Sequence, residues 1–154
     1  MYFEMLHPAW DSYAEDGLKD NFRSCVLKVS SPGGSLLIPG DIEADAEASL
    51  LTDRSLDLHA DVLVAPHHGS KTSSTEAFIN AVRPSITVFT VGYRNRFGHP
   101  KPEVVERYLN RGIRTYRSDQ DGMVMVDFRL QGVSADSWRQ SRPRYWLAES
   151  PDAR

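Results

Sequence analysis

Ala60-Asp61-Val62-Leu63-Val64-Ala65-Pro66-His67-His68-Gly69-Ser70-Lys71-Thr72-Ser73-Ser74 is the stretch from which the rest of the chain is read. Val62 to Ala65 is apolar and β-branched enough for a buried strand. Pro66 has no N–H to donate, so strand pairing is expected to stop there. His67 and His68 then stand where a buried strand ends and the chain turns, a place where α/β sheets carry binding and catalytic groups. Gly69 admits a backbone conformation that other residues resist. Ser73 and Glu76 have capping-box spacing, which predicts a helix from there to about Arg83. Successive residues of an extended chain point to opposite sides, so only one of the two histidines is expected to face a given ion. On residue type alone the pair reads equally as structural imidazoles bonded to nearby backbone.

A length of 154 residues suffices for one domain with its own core. The net charge of −3 supplies no overall basic field for nucleic acid. Cys25 is the only cysteine, which excludes an internal disulfide and a multi-cysteine zinc site. No apolar run approaches membrane-spanning length, and no basic region followed by an apolar one opens the chain. The expectation is a soluble chain without a signal peptide.

Working outward, Tyr2 to Leu6 reads as a strand stopped by His7-Pro8, and Asp11 to Asp20 as a polar loop. His7 is a ligand candidate by residue type only. Ser24 to Val29 and Ser35 to Ile38 read as two strands joined by the turn Ser31-Pro32-Gly33-Gly34, a hairpin. Cys25 is expected to behave as a small apolar residue there. After Pro39-Gly40-Asp41, the positions Ile42, Ala46 and Leu50 recur at helical spacing. Asp41 has two readings, a helix N-cap or a metal-ligating carboxylate at a strand end. Glu43, Asp45 and Glu47 suit the positive end of a helix and are expected to be solvated.

Beyond the His-His stretch, Ser85 to Val91 is the most β-prone run, apolar enough for a strand covered on both faces. The loop Gly92-Tyr93-Arg94-Asn95-Arg96-Phe97-Gly98-His99-Pro100 follows. Arg94 and Arg96 are placed to meet an anion or to be surface charge. His99 is an acid–base candidate or a loop-bracing imidazole. A helix is predicted from Pro102 to about Asn110 with Val104, Val105, Tyr108 and Leu109 as its apolar face. Ile113 to Arg117 is a strand, Ser118 to Gly122 a turn, and Met123 to Phe128 the last strand. Residues 129–154 lose periodicity and read as a tail. It holds Trp138, Tyr145 and Trp146 among Arg129, Arg139, Arg142 and Arg144. The bland reading is a tail docking its aromatics; a basic-aromatic contact with nucleic acid is the alternative. The whole is an α/β chain with a mixed sheet.

Several motifs occur in one order: Asn21-x-x-Ser24, Leu37-Ile38-Pro39-Gly40-Asp41-Ile42-Glu43, Pro66 to Ser74, Gly92 to Pro100, and Arg117-Ser118-Asp119-x-x-Gly122. Over about residues 2–128 they resemble the metallo-β-lactamase-like domain at the C-terminus of the DNA internalisation competence family ComEC/Rec2. Arg144-Tyr145-Trp146 is similar to proteobacterial members. The resemblance implies the second half of a four-layer αβ/βα metallo-hydrolase fold over 1–128, followed by the tail. It implies zinc or manganese ions, with Asp41 bridging two of them and one of His67 and His68, preferentially His67, completing the ligand set of the second ion, while the other histidine supports that set or contacts substrate. It places Ser70, Lys71, Thr72, Asn95 and His99 near the site as phosphate or leaving-oxygen contacts, with His99 as a proton donor. The implied activity is metal-dependent hydrolysis of DNA phosphodiesters during uptake of transforming DNA. The parent would sit in the cytoplasmic membrane with this domain on its outer side.

The superfamily's His-x-His-x-Asp-His motif is absent. The five histidines are His7, His59, His67, His68 and His99, and none forms His-x-His. The expectation is therefore a piece of the hydrolase domain, from a truncated reading frame or partial gene. It would show weak or no activity alone and pair through an exposed sheet edge and half-core with the missing half or with itself. The parent's membrane channel region is a further expected partner.

Overall fold

The computed structural model describes residues 1–9, 12 and 17–142. The predicted loop from Asp11 to Asp20 lies partly outside that range, and Arg144, Tyr145 and Trp146 lie wholly outside it. A six-stranded mixed sheet runs in the order β1-β2-β3-β4-β5-β6. β1 (Tyr2–His7), β2 (Val26–Ser31) and β3 (Gly34–Ile38) form an antiparallel meander. β4 (Val62–Val64), β5 (Ile86–Phe89) and β6 (Arg114–Arg117) continue it in parallel with β3. The carboxyl ends of four neighbouring strands therefore line one edge, where open α/β sheets place their chemistry.

α1 (Ala44–Thr52), α2 (Glu76–Val82) and α3 (Pro102–Leu109) pack on one face of this sheet. Ile42, Ala46 and Leu50, predicted by their spacing, are buried there with Leu37, Leu63, Phe78, Phe89, Val104 and Tyr108. The alternate strand residues Leu36, Val62 and Ile86 face the other side. Val62 and Ile86 are nevertheless buried. A two-stranded hairpin, β7 (Val124–Arg129) with β8 (Gly132–Ser137), lies against that side. Tyr116 donates to Ala135 O at 2.9 Å, and the β2–β3 turn is pressed under Phe128. A Cβ on Gly33 would lie 2.7 Å from the Phe128 backbone. Toward β1 the same face is open, with Phe3 and Met5 exposed. Among the described residues no helix is long and apolar enough to cross a membrane.

Several local expectations change. Asp41 does not cap a helix: α1 begins at Ala44 after Glu43. Ser73 does not cap α2; Thr75 does, accepting from Phe78 N. The Ser73 hydroxyl instead donates to Pro66 O at 2.8 Å. Leu109 is exposed, because the buried stripe of α3 is Val104 and Tyr108 with partly covered Val105. Cys25 lies exposed, one residue before β2 begins. The turn at 118–122 is a short helix, α4 (Ser118–Asp121). Phe128 does not end the last strand: β8 follows, with α5 (Trp138–Ser141) after it. Trp138 is half-buried beneath the Arg142 guanidinium, 4.1 Å from the ring centroid. Arg139 donates to Asp119 O and Gln120 O at 2.8 and 2.9 Å, so these arginines serve the fold itself.

Candidate functional site

The carboxyl end of β3 is built by two sequence motifs meeting. Gly40 has φ +58, and a Cβ there would lie 2.5 Å from Ser24 Oγ. That oxygen accepts the Asp41 N–H at 2.9 Å. Asn21 donates to Glu43 Oε1 at 3.3 Å. The segment Asn21 to Ser24 thus fixes Gly40, Asp41 and Glu43. Next door, at the carboxyl end of β4, His67 N donates to Gly40 O at 3.0 Å and ties the two strand ends together.

The backbone does not continue extended past Pro66. His67 and His68 both adopt left-handed conformations, with φ of 46° and 56°. This overturns the extended backbone expected here, while the two rings still meet different carboxylates, Asp41 for His68 and Glu43 for His67. With the alternation of a strand abolished, both rings reach carboxylates. His68 Nε2 lies 3.4 Å from Asp41 Oδ1, and both side chains are half-exposed. His68 Nδ1 pairs with Thr90 Oγ1 at 3.2 Å, fixing the ring. His67 Nδ1 lies 3.3 Å from Glu43 Oε1 and 3.5 Å from Thr72 Oγ1, and Thr72 donates to the same Glu43 oxygen at 3.1 Å.

Two of the acidic residues expected in solvent are therefore not there. Glu43 is a site residue that the sequence reading missed; its signal was the partnership with Asn21. Glu47 is fully buried, because its carboxylate accepts the Ser74 and Thr75 N–H groups at 2.6 and 2.8 Å. Burial pushes the Glu47 carboxyl above its ordinary value, against the pull of those hydrogen bonds and of Arg107.

Ser70 is buried; its hydroxyl pairs with Thr72 Oγ1 at 3.1 Å, bracing the residue that holds Glu43. Lys71 turns to α3 and pairs with Glu103 at 2.7 Å. His99 lies beside His67, ring centroids 6.0 Å apart. Its Nδ1 is buried without a hydrogen-bond partner. Burial, then Lys101 and the two other histidines, lower its basicity below that of an ordinary imidazole. His7 is buried away from these groups, bonded to Phe22 O.

Imidazole and carboxylate donors suit zinc or manganese. A catalytic zinc centre needs three protein ligands. Among the described residues no group of three His, Cys, Asp or Glu side chains is placed to hold a metal ion. Asp41 and His68 supply two donors, so the described residues do not amount to a complete centre.

No family model matches the chain. It is 38% identical over 144 residues to competence protein ComA of Neisseria gonorrhoeae, covering 94% of this chain and 20% of that protein. It is 32% identical over 129 residues to ComE operon protein 3 of Bacillus subtilis, covering 84% of this chain and 16% of that one. Recombination protein 2 of Haemophilus influenzae is 36% identical over 109 residues, 71% of this chain and 14% of its own length. The chain thus spans a fifth or less of the length of these relatives. Such identity along most of its residues, together with the motifs that build the site, makes this chain a member of the ComEC/Rec2 family of competence proteins.

Proposed function

We propose that this chain forms one wall of a metal-dependent site that hydrolyses DNA phosphodiesters during DNA uptake. Its fold would be the second half of a four-layer αβ/βα metallo-hydrolase. The observation that carries the reading is the facing pair of donors, Asp41 Oδ1 and His68 Nε2, at the carboxyl ends of adjacent parallel strands. His68 is the donor in preference to His67, which Glu43 and Thr72 engage. The remaining ligands would come from another part of a longer protein, since the chain spans a fifth or less of the length of its relatives. The relatives' names connect the family with competence, which supports DNA as the substrate.

The half-covered sheet face supports the same reading. Phe3, Met5 and the partly exposed Leu27, Val29 and Leu36 form an apolar surface beside the edge of β1, which no described strand pairs. A second sheet packed on that face would complete the sandwich.

The test is a calorimetric titration of zinc and manganese into this chain, alone and joined to the segment of a full-length relative that carries His-x-His-x-Asp-His. The isolated chain is expected to bind neither ion stoichiometrically. The joined protein is expected to bind tightly and to lose that binding in Asp41→Ala and in His68→Ala. Tight binding that survives both substitutions would refute the proposed ligands.

A further inference from the structure

The loop from Gly92 to Lys101 exposes more aromatic surface than its place beside a polar site requires. Tyr93 is 72% exposed and Phe97 59% exposed. Each carries an arginine over its ring, Arg94 at 5.2 Å from the Tyr93 centroid and Arg96 at 4.8 Å from that of Phe97. Both arginines are exposed as well.

The loop is braced from within. The Asn95 side chain donates to His99 O at 2.7 Å and accepts from His99 N at 2.9 Å. Lys101 Nζ donates to Phe97 O at 2.7 Å, and Lys101 N to Gly69 O at 2.9 Å. At the loop's start, Ser118 Oγ accepts from Val91 N at 2.8 Å and donates to Val91 O at 2.7 Å. The aromatics are therefore presented on a preorganised frame, which lowers the cost of binding. The frame leads into the site: the Phe97 ring stacks with His99 at 5.9 Å and 14°, and His99 lies beside His67.

We propose that this loop is a base-stacking platform for an unpaired nucleic-acid strand, holding it beside Asp41 and His68. Planar rings accept any base face, and the neighbouring guanidiniums meet the phosphates. A duplex keeps its bases stacked inside and would use the arginines alone. The inference names the form of substrate for the site proposed above and rests on that reading.

Fluorescence anisotropy of the whole chain with a labelled oligothymidylate of about 20 nucleotides tests it, against a duplex of equal length. A chelator is present, so the result is independent of metal and of the titration above. The single strand is expected to bind more tightly than the duplex. Tyr93→Ala and Phe97→Ala are each expected to weaken it about tenfold, while Tyr93→Trp keeps it. Arg94→Ala is expected to flatten the dependence on salt between about 50 and about 200 mM. Equal binding of duplex and single strand with no effect of Tyr93→Ala or Phe97→Ala would overturn the platform. So would the lack of any binding at the lowest salt.

Discussion

The carboxylate of Glu47 accepts the backbone N–H of Ser74 at 2.6 Å, joining α1 to the segment that ends the His-His loop. Asp41 and Glu43 precede α1, and His67 and His68 precede Ser74. One buried acid therefore sets the distance between the two arms of the site. From the opposite side α3 grips the same residue. Arg107 donates to Ser73 O and Ser74 O at 3.1 and 2.9 Å, and the Tyr108 hydroxyl donates to Ser74 Oγ at 2.9 Å.

Glu47→Ala is expected to destabilise the protein by roughly 2–5 kcal/mol, since two buried N–H groups lose their acceptor. Glu47→Gln reads the acid's ionisation. The folded state raises its pKa from 4.5, so folding favours the protonated form. That contribution is full at pH below the ordinary value and is lost as pH rises through the folded-state value. Urea unfolding from about pH 4 to about pH 8 should show the wild type losing stability relative to Glu47→Gln as pH rises. A pH-independent difference would contradict the direction of this shift.

Thr75→Ala is expected to cost about 1 kcal/mol, because Thr75 Oγ1 caps α2 through Phe78 N. The loss should appear in equilibrium unfolding. A cost near zero would mean that the cap at 3.3 Å contributes nothing.

Gly69→Ala is expected to cost more than about 2 kcal/mol. Its φ is +81°, and a Cβ there would stand 2.6 Å from Pro100 Cβ and 2.8 Å from a Phe89 ring carbon. Gly112→Ala, with φ +70° but open space around it, separates the two effects: it suffers only the backbone strain. Thermal denaturation of both should rank Gly69→Ala well below Gly112→Ala.

Cys25 is expected to react with a maleimide in the native protein about as fast as a free thiol, because it lies exposed ahead of β2. Labelling that requires denaturant would return it to the small apolar role its sequence context suggested.

The core and the strand ends were legible because they follow local rules. Val62 to Val64 and Ile86 to Phe89 are apolar runs of strand length, and Ile42, Ala46 and Leu50 keep a helical period. Glu47 was not legible: an acid in the first turns of a helix looks solvated, and its partners lie 27 and 28 residues away. β8 escaped notice because Gly132–Ser137 offers only Val133 and Ala135 as apolar residues and gains its order by pairing with β7. The motif order grouped Asp41, His67, His68 and Thr72, and the structure pairs His68 with Asp41 and His67 with Thr72. It could not reveal that both rings face carboxylates, since that depends on two successive left-handed residues, a conformation uncommon for any residue with a Cβ.

Those two conformations set a trade-off between folding and chemistry. Side chains with a Cβ enter the left-handed region at a cost, of order 1–3 kcal/mol each where it is strained. Asparagine and glycine tolerate it better than histidine. A sequence chosen for stability alone would write Asn or Gly at positions 67 and 68, and the fold would keep its shape. The imidazoles stand there against the backbone's own preference. Substitutions that strengthen this protein at those positions should be the ones that empty its site.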